Sequence, residues 1–266
     1  MLLTTLVSGA AAAPTAVGLG TASNFAVLAG AGFTNTGPTT VNGDLGTYPT
    51  TTMTGTGSVT VTGTNHAGDA VTQGAKTDLV TAYNTAAGEG PTSPIAADLG
   101  GQTLTPGVYN SGSSIGLTGA LTLNAGGDPN AVFVFQAGST LTTASASQIN
   151  LINGAQSCNI FWQIGSSATL GTGSTFRGTI IASASITVTT GVTVDGRVLA
   201  RDGAVTLDTD TITRPTCAAV ATTTAATTTA ATTTAATTTA ATTTAATTTA
   251  ATTTAATTTA ATTTAA

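Results

Sequence analysis

Residues 167–207 read SATLGTGSTFRGTIIASASITVTTGVTVDGRVLARDGAVTL, and the repeat inside this stretch decides the fold. Ser167, Ala168, Thr169 and Leu170 recur as Ser185, Ile186, Thr187 and Val188, then as Ala204, Val205, Thr206 and Leu207, at offsets of 18 and 19 residues. A second series stacks Ile160, Phe161 and Trp162 over Thr179, Ile180 and Ile181, and over Arg197, Val198 and Leu199. A third stacks Thr175, Phe176 and Arg177 over Thr193, Val194 and Asp195, and over Thr211, Ile212 and Thr213. Three short strands per repeat predict a coil with three faces, a β-solenoid. Strand alternation points Ala168, Leu170, Ile186, Val188, Val205 and Leu207 inward, and Ser167, Thr169, Ser185, Thr187, Ala204 and Thr206 outward. Leu121, Thr122 and Leu123, and likewise Thr140, Leu141 and Thr142, read as earlier members of the first series.

The outward residues would form a lattice. Stacked coils repeat at about 4.7 to 4.9 Å, and alternate residues of one strand lie roughly 6.5 to 7 Å apart. Small side chains on that grid give a flat, rigid, almost uncharged face. Strand propensity alone also favours threonine, but it does not account for the scarcity of charge.

Working outward, residues 66–88 (HAGDAVTQGAKTDLVTAYNTAAG) carry the one helical pattern of the chain. Ala67, Ala70, Val71, Ala75, Leu79, Val80, Tyr83 and Ala87 form its apolar stripe, and the region from Asp69 to Lys76 with Asp78 its polar side. Gly88, Gly90 and Pro91 end it. His66, the lone histidine, is read as a capping residue at its start. Residues 1–16 contain Leu2, Leu3, Leu6 and Val7 before Ala11, Ala12 and Ala13, which reads as a truncated secretion signal or a plain N-terminal strand or tail. From Ala221 the sequence ATTTA repeats nine times and ends in Ala266. A period of five matches neither helix nor strand, so residues 218–266 read as a low-complexity spacer open to O-glycosylation, with an alanine-threonine helix as the alternative. The folded module is therefore expected at 17–217.

Composition excludes several classes. The chain has 266 residues, of which 5 are Lys or Arg and 10 are Asp or Glu, for a net charge of −5. Without a basic cluster there is nothing to neutralise a phosphate backbone, so nucleic acid is not an expected partner. No apolar run is long enough to predict membrane insertion. Cys158 and Cys217 with one histidine are too few for a soft-ligand metal site. They pair as an extracellular disulfide or stand as two buried thiols. The carboxylates are scattered; Asp208 and Asp210 fall on one side of a strand, a pattern that a polysaccharide-cleaving or calcium-binding solenoid would share. No base, nucleophile and orienting group come together, so no enzyme activity, catalytic residue, cofactor or metal is expected. Phe133, Phe135, Phe161 and Trp162 lie in apolar strands and read as packing. Gly55 to Gly57 and Gly171 to Gly173 are turns, since a phosphate loop needs a lysine and a helix after it.

A regular grid of methyls and hydroxyls can hold an ordered water layer, and its ordering entropy is met at folding rather than on binding. The partner that suits it is an ice surface. The candidate contact residues are Thr122, Thr140, Ser167, Thr169, Ser185, Thr187 and Thr206. Thr175, Thr193, Thr211 and Thr213 form a second candidate face, interrupted by Arg177 and Asp195.

Six segments also resemble a known family: FAVLAGAG at 25–32, TNTGPTTVNGDLG at 34–46, LTPGVY at 104–109, AVFVFQ at 131–136, CNIFWQIG at 158–165 and GRVLARDGAVTL at 196–207. Together they are similar to the microbial ice-binding proteins of the DUF3494 β-solenoid type. The resemblance covers Val17 to Cys217. It implies an irregular right-handed β-solenoid of triangular section with a long helix along one face. It further implies coils stacked out of sequence order and ice adsorption on one flat face. A secreted or cell-surface monomer that restrains ice growth or recrystallisation is the first expectation. A structural or adhesive module displayed on a threonine-rich stalk is the second.

Overall fold

The computed structural model describes residues 13–90 and 92–217. The leader pattern up to residue 12, Pro91 and the repetitive tail from residue 218 lie outside the described residues.

Every strand pairing is parallel, and the strands stack into three faces. One face is a 7-stranded sheet in the order Ile115–Leu117, Leu141–Thr143, Ala168–Leu170, Ile186–Val188, Val205–Asp208, Phe33–Thr36, Met53–Thr54; it is called the hydroxyl face below. The other two faces belong to a 15-stranded sheet that folds around a corner. Two long strands, Thr175–Ala182 and Thr193–Ala200, run through that corner and join the faces. Their bend is tight because glycines meet there. A Cβ on Gly196 would lie 1.8 Å from the Gly178 carbonyl oxygen, and Gly178 itself has φ 105°.

Coil order departs from chain order. Val27 pairs with Val198, Thr34 with Thr206 and Thr40 with Thr211, so the N-terminal coils sit on the end of the C-terminal ones. The chain must then return to the opposite end before residues 92–213 can build up coil by coil. Helix α1 (Ala70–Gly88) makes that return. Its 19 residues span about 28 Å at 1.5 Å per residue. It lies along the third face, burying Ala75, Leu79, Ala82 and Ala86 against Phe25, Leu28, Val134, Phe161, Ile181 and Leu199. Inside the coils a ladder of rings, Tyr109, Phe135, Trp162 and Phe176, stacks with centroids 5.4, 3.9 and 5.2 Å apart. Trp162 Nε1 donates to the Arg177 carbonyl at 3.1 Å, which satisfies its polar end.

The helix differs from the sequence expectation in three ways. It begins at Ala70 rather than His66, because Asp69 is the N-cap and accepts from Thr72 N at 2.9 Å. His66 sits in the preceding strand Asn65–Ala67, with Nδ1 2.5 Å from Asp69 Oδ2. The apolar stripe is also rotated. Val71 and Val80 are 48% and 40% exposed, whereas Lys76 is only 8% exposed. Its Nζ donates to the carbonyls of Ala200 and Arg201, tying the helix to the coil below, and alanines rather than valines face the sheet because they allow closer approach. At the other end, Gln136 Nε2 donates to Ala86 O at 2.8 Å and Glu89 O at 3.0 Å, meeting carbonyls that a helix end leaves unpaired.

The second series is slipped by one residue in its first member. Phe161 pairs with Thr179 and Trp162 with Ile180. A one-residue slip exchanges inside for outside, so Phe161 lies under the helix while Trp162 enters the core. Cys158 and Cys217 form a disulfide, with Cα atoms 5.7 Å apart.

Candidate functional site

Among the described residues α1 covers one face and leaves two open. On the hydroxyl face the alternating inward residues Leu141, Ala168, Ile186, Val205 and Phe33 are buried, which fixes the outward ones. Their register makes one unbroken rank: Thr142 pairs with Thr169, Thr169 with Thr187, Thr187 with Thr206, Thr206 with Thr34, and Thr34 with Thr54. Six threonines thus stand in six consecutive coils, spaced about 4.8 Å apart by the sheet itself. A second rank lies two residues earlier on each strand: Ser114, Thr140, Ser167 and Ser185, then Ala204. Ser114 and Thr140 share a 2.8 Å hydrogen bond between their hydroxyls, and Ser185 Oγ accepts from Ala204 N at 3.2 Å. From Gly116 to Thr54 neither rank contains a charged residue. Asp98 bridges to Gly116 at the outer end, and Asp208 flanks Thr206 on one side.

Six of the seven residues named for the first series lie on this face: Thr140, Ser167, Thr169, Ser185, Thr187 and Thr206. Thr122 does not. Its strand Ala120–Asn124 pairs with Gln148–Ile152 and Thr103–Leu104, and the former continues into Thr175, which places Thr122 on the other open face. The triplet of a large apolar residue, threonine and a large apolar residue occurs on both faces, so pattern alone could not separate them. Thr34, Thr54 and Thr142 belong to the main rank and were missed. Thr142 was within reach, since Leu141 pairs with Ala168. Thr34 and Thr54 were not, because the strands Phe33–Thr36 and Met53–Thr54 enter from the opposite end of the chain.

The second open face also carries a threonine rank, in which Thr175, Thr193, Thr211, Thr40 and Thr60 pair in succession. Its next rank is uneven. Arg177 pairs with Asp195, and their side chains form a 2.8 Å ion pair. Asp195 also accepts from Ser157 Oγ at 2.5 Å, and the group borders a pocket of about 330 Å³ lined by Leu151, Pro215 and Thr216. Thr213 follows Asp195 in the same rank. A charged pair keeps its hydration and stands proud of threonine, so this face offers no continuous neutral plane.

Asp208 and Asp210 do not share a strand side. The strand ends at Asp208, Thr209 turns the corner with φ 59°, and Asp210 points inward at 2% exposure. It accepts from Val192 N and Asp208 N, each at 2.8 Å, closing the corner between the two open faces. Burial pushes its carboxyl up to about 7, against the pull of these two backbone donors. It is a structural group rather than half of a catalytic pair. Among the described residues no cluster of three or more His, Cys, Asp or Glu could hold a metal ion, and no helix is long and apolar enough to cross a membrane.

Comparison with known proteins agrees with this fold. Residues 27–213 match the family model described as Ice-binding-like. An ice-binding protein from Nostoc sp. (strain HG1) is 53% identical over 196 residues, covering 73% of this chain and 72% of that one. An ice-binding protein from Colwellia sp. is 37% identical over 225 residues, covering 77% of this chain and 87% of that one. The crystal structure of an ice-binding protein from an Antarctic biological consortium superimposes with a TM-score of 0.77 at 46% identity, covering 80% of this chain and 97% of that one.

Proposed function

This chain belongs to the ice-binding-like family, and from that premise we propose that it adsorbs to ice through the hydroxyl face and so restrains ice growth or recrystallisation. The observation that carries the site is the six-coil threonine rank from Thr142 to Thr54, flanked by the rank of Ser114, Thr140, Ser167 and Ser185 and free of charge along its length. Each threonine presents a methyl and a hydroxyl on a β-branched side chain with few χ1 states. The buried residues beneath hold the backbone in a close-packed core, so little conformational entropy is lost when the face meets a crystal. Adsorption requires no reaction and no cofactor.

Thr169, Thr187 and Thr206 are the central contacts, with Thr34, Thr54 and Thr142 extending them. Thr122, Thr175, Thr193, Thr211 and Thr213 lie outside the contact. The folded module runs from 17 to 217 with its helix at Ala70–Gly88. The disulfide supports an oxidising, extracellular location. A monomer suits the function, because pairing through this face would remove it from ice.

The test is ice-affinity partitioning and recrystallisation inhibition of Thr187→Tyr, whose ring rises above the plane at the centre of the array. The variant should melt like the parent yet lose most of its partitioning, while Thr193→Tyr on the other face keeps it. A folded Thr187→Tyr that still partitions into ice would overturn the assignment.

A further inference from the structure

Asp208 stands where a third rank of the hydroxyl face would begin. In the strand Val205–Asp208, Val205 and Leu207 point inward while Thr206 and Asp208 are outward. The carboxylate therefore lies beside Thr206, about 6.5 to 7 Å across the face. In the next coil Asp208 pairs with Thr36, which is exposed. In the preceding coil the exposed Thr190 stands against Asp208, and its neighbour Gly191 donates its backbone N–H to the Asp208 carbonyl. Without Asp208 this flank would read threonine in three successive coils.

The side chain is also turned and held. Thr190 Oγ1 donates to Asp208 Oδ2 at 2.5 Å, and Thr209 Oγ1 donates to Oδ1 at 3.1 Å. The ion pairs among the described residues are His66 with Asp69, Arg177 with Asp195, and Arg201 with Asp202. The charge of Asp208 is thus met by hydroxyls and water rather than by a cation. These donors hold its carboxyl below the ordinary range, so it is charged wherever the protein is folded near neutrality. A carboxylate gives up its hydration shell only at high cost, and an ice plane cannot approach without displacing that shell.

We propose that Asp208 is a specificity-determining residue that sets the lateral edge of the ice contact, confining adsorption to two ranks and excluding the flank of Thr190 and Thr36. This rests on the hydroxyl face being the contact surface. Replacing the carboxylate by a neutral group should widen the array by a third rank and strengthen adsorption, the opposite sign from most surface substitutions in a binding site.

The experiment compares Asp208→Thr and Asp208→Asn with the parent full chain, and runs Thr187→Tyr beside them. The readouts are the lowest concentration that stops ice recrystallisation, the thermal hysteresis at matched concentration, and the melting curve. Asp208→Thr should act at a severalfold lower concentration. Asp208→Asn, isosteric and still able to accept from Thr190, should move the same way by less and decides the matter if the threonine variant does not fold. A folded neutral variant with unchanged or weaker activity overturns the edge assignment. If Thr187→Tyr abolishes activity in that case, the face stands and only Asp208 is misassigned; if Thr187→Tyr is neutral, both proposals fall.

Discussion

Asp210 should give the stability of this protein an unusual pH dependence. Its carboxyl, normally at 3.8, is pushed up to about 7 by burial, so the folded protein holds a proton there that the unfolded chain releases. The stabilisation from that proton is fully present below pH 3.8 and is lost as pH rises through about 7. At 1.36 kcal/mol per pKa unit, a shift of about three units corresponds to about 4 kcal/mol. That is a large fraction of the 5–15 kcal/mol typical of a domain. The window is separable from those of the other carboxylates. Asp69 is held at about 2 by the backbone bond from Thr72 and its contact with His66, and Asp78 and Asp98 are lowered by their hydrogen bonds. Their contributions are present above pH 3.8 and fade only in stronger acid. Burial lowers Lys76 to about 8, so its slope lies between pH 8 and its ordinary 10.5, where stability rises with pH. Urea unfolding from pH 4 to pH 7 should therefore show stability falling in the parent and a flat profile in Asp210→Asn. The variant also loses one acceptor, since its amide NH2 faces either Val192 N or Asp208 N, which costs about 1–3 kcal/mol at all pH values. A parent profile flat across that range, or a slope that survives in Asp210→Asn, would refute the reasoning.

Replacing Cys158 and Cys217 by alanine opens a loop with a sequence separation of 59 residues. Chain-entropy loss predicts a cost of about 4 kcal/mol, to be read from denaturation of the variant against the oxidised parent; a loss below about 1 kcal/mol would contradict that account. Gly196→Ala should fail to reach a native melting transition, because its Cβ would lie 1.8 Å from the Gly178 carbonyl oxygen with both atoms on paired backbone. A normal melt would show that the corner is slacker than the packing indicates. Thr187→Tyr should leave the melting temperature within the small range expected of surface changes while ice partitioning is lost, and circular dichroism with partitioning on the same sample checks both.

The fold was legible where the sequence repeats closely. Ala168, Ile186 and Val205 fall in one register, and Thr175, Thr193 and Thr211 in another, as their spacing implies. Legibility failed where coils are irregular. Thr122 looked like Thr169, since both sit between apolar neighbours, yet a solenoid puts the same alternation on more than one face. The sequence pattern locates the helix but not its rotation. Valines score as more apolar than alanines, whereas the sheet beneath accepts Ala75, Ala82 and Ala86 and leaves Val71 and Val80 outside. A buried Lys76 could not be foreseen, because its partners are backbone carbonyls of a distant coil.

By itself the sequence determined a three-faced coil of 18 to 19 residues, the inward and outward residues of its most regular series, the scarcity of charge and the family resemblance. Those are properties of neighbours along the chain, or of composition, and need no knowledge of what stacks on what. Tertiary structure alone decided which further threonines join the plane of Thr169, Thr187 and Thr206. Thr34 stands beside Thr206 only because the first coils pack onto the last, and α1 then carries the chain back along the face it covers. It also decided that Asp210 is buried while Asp208, two residues earlier, remains at the edge of the array. Thr209 makes that difference by turning the chain between them through a left-handed corner.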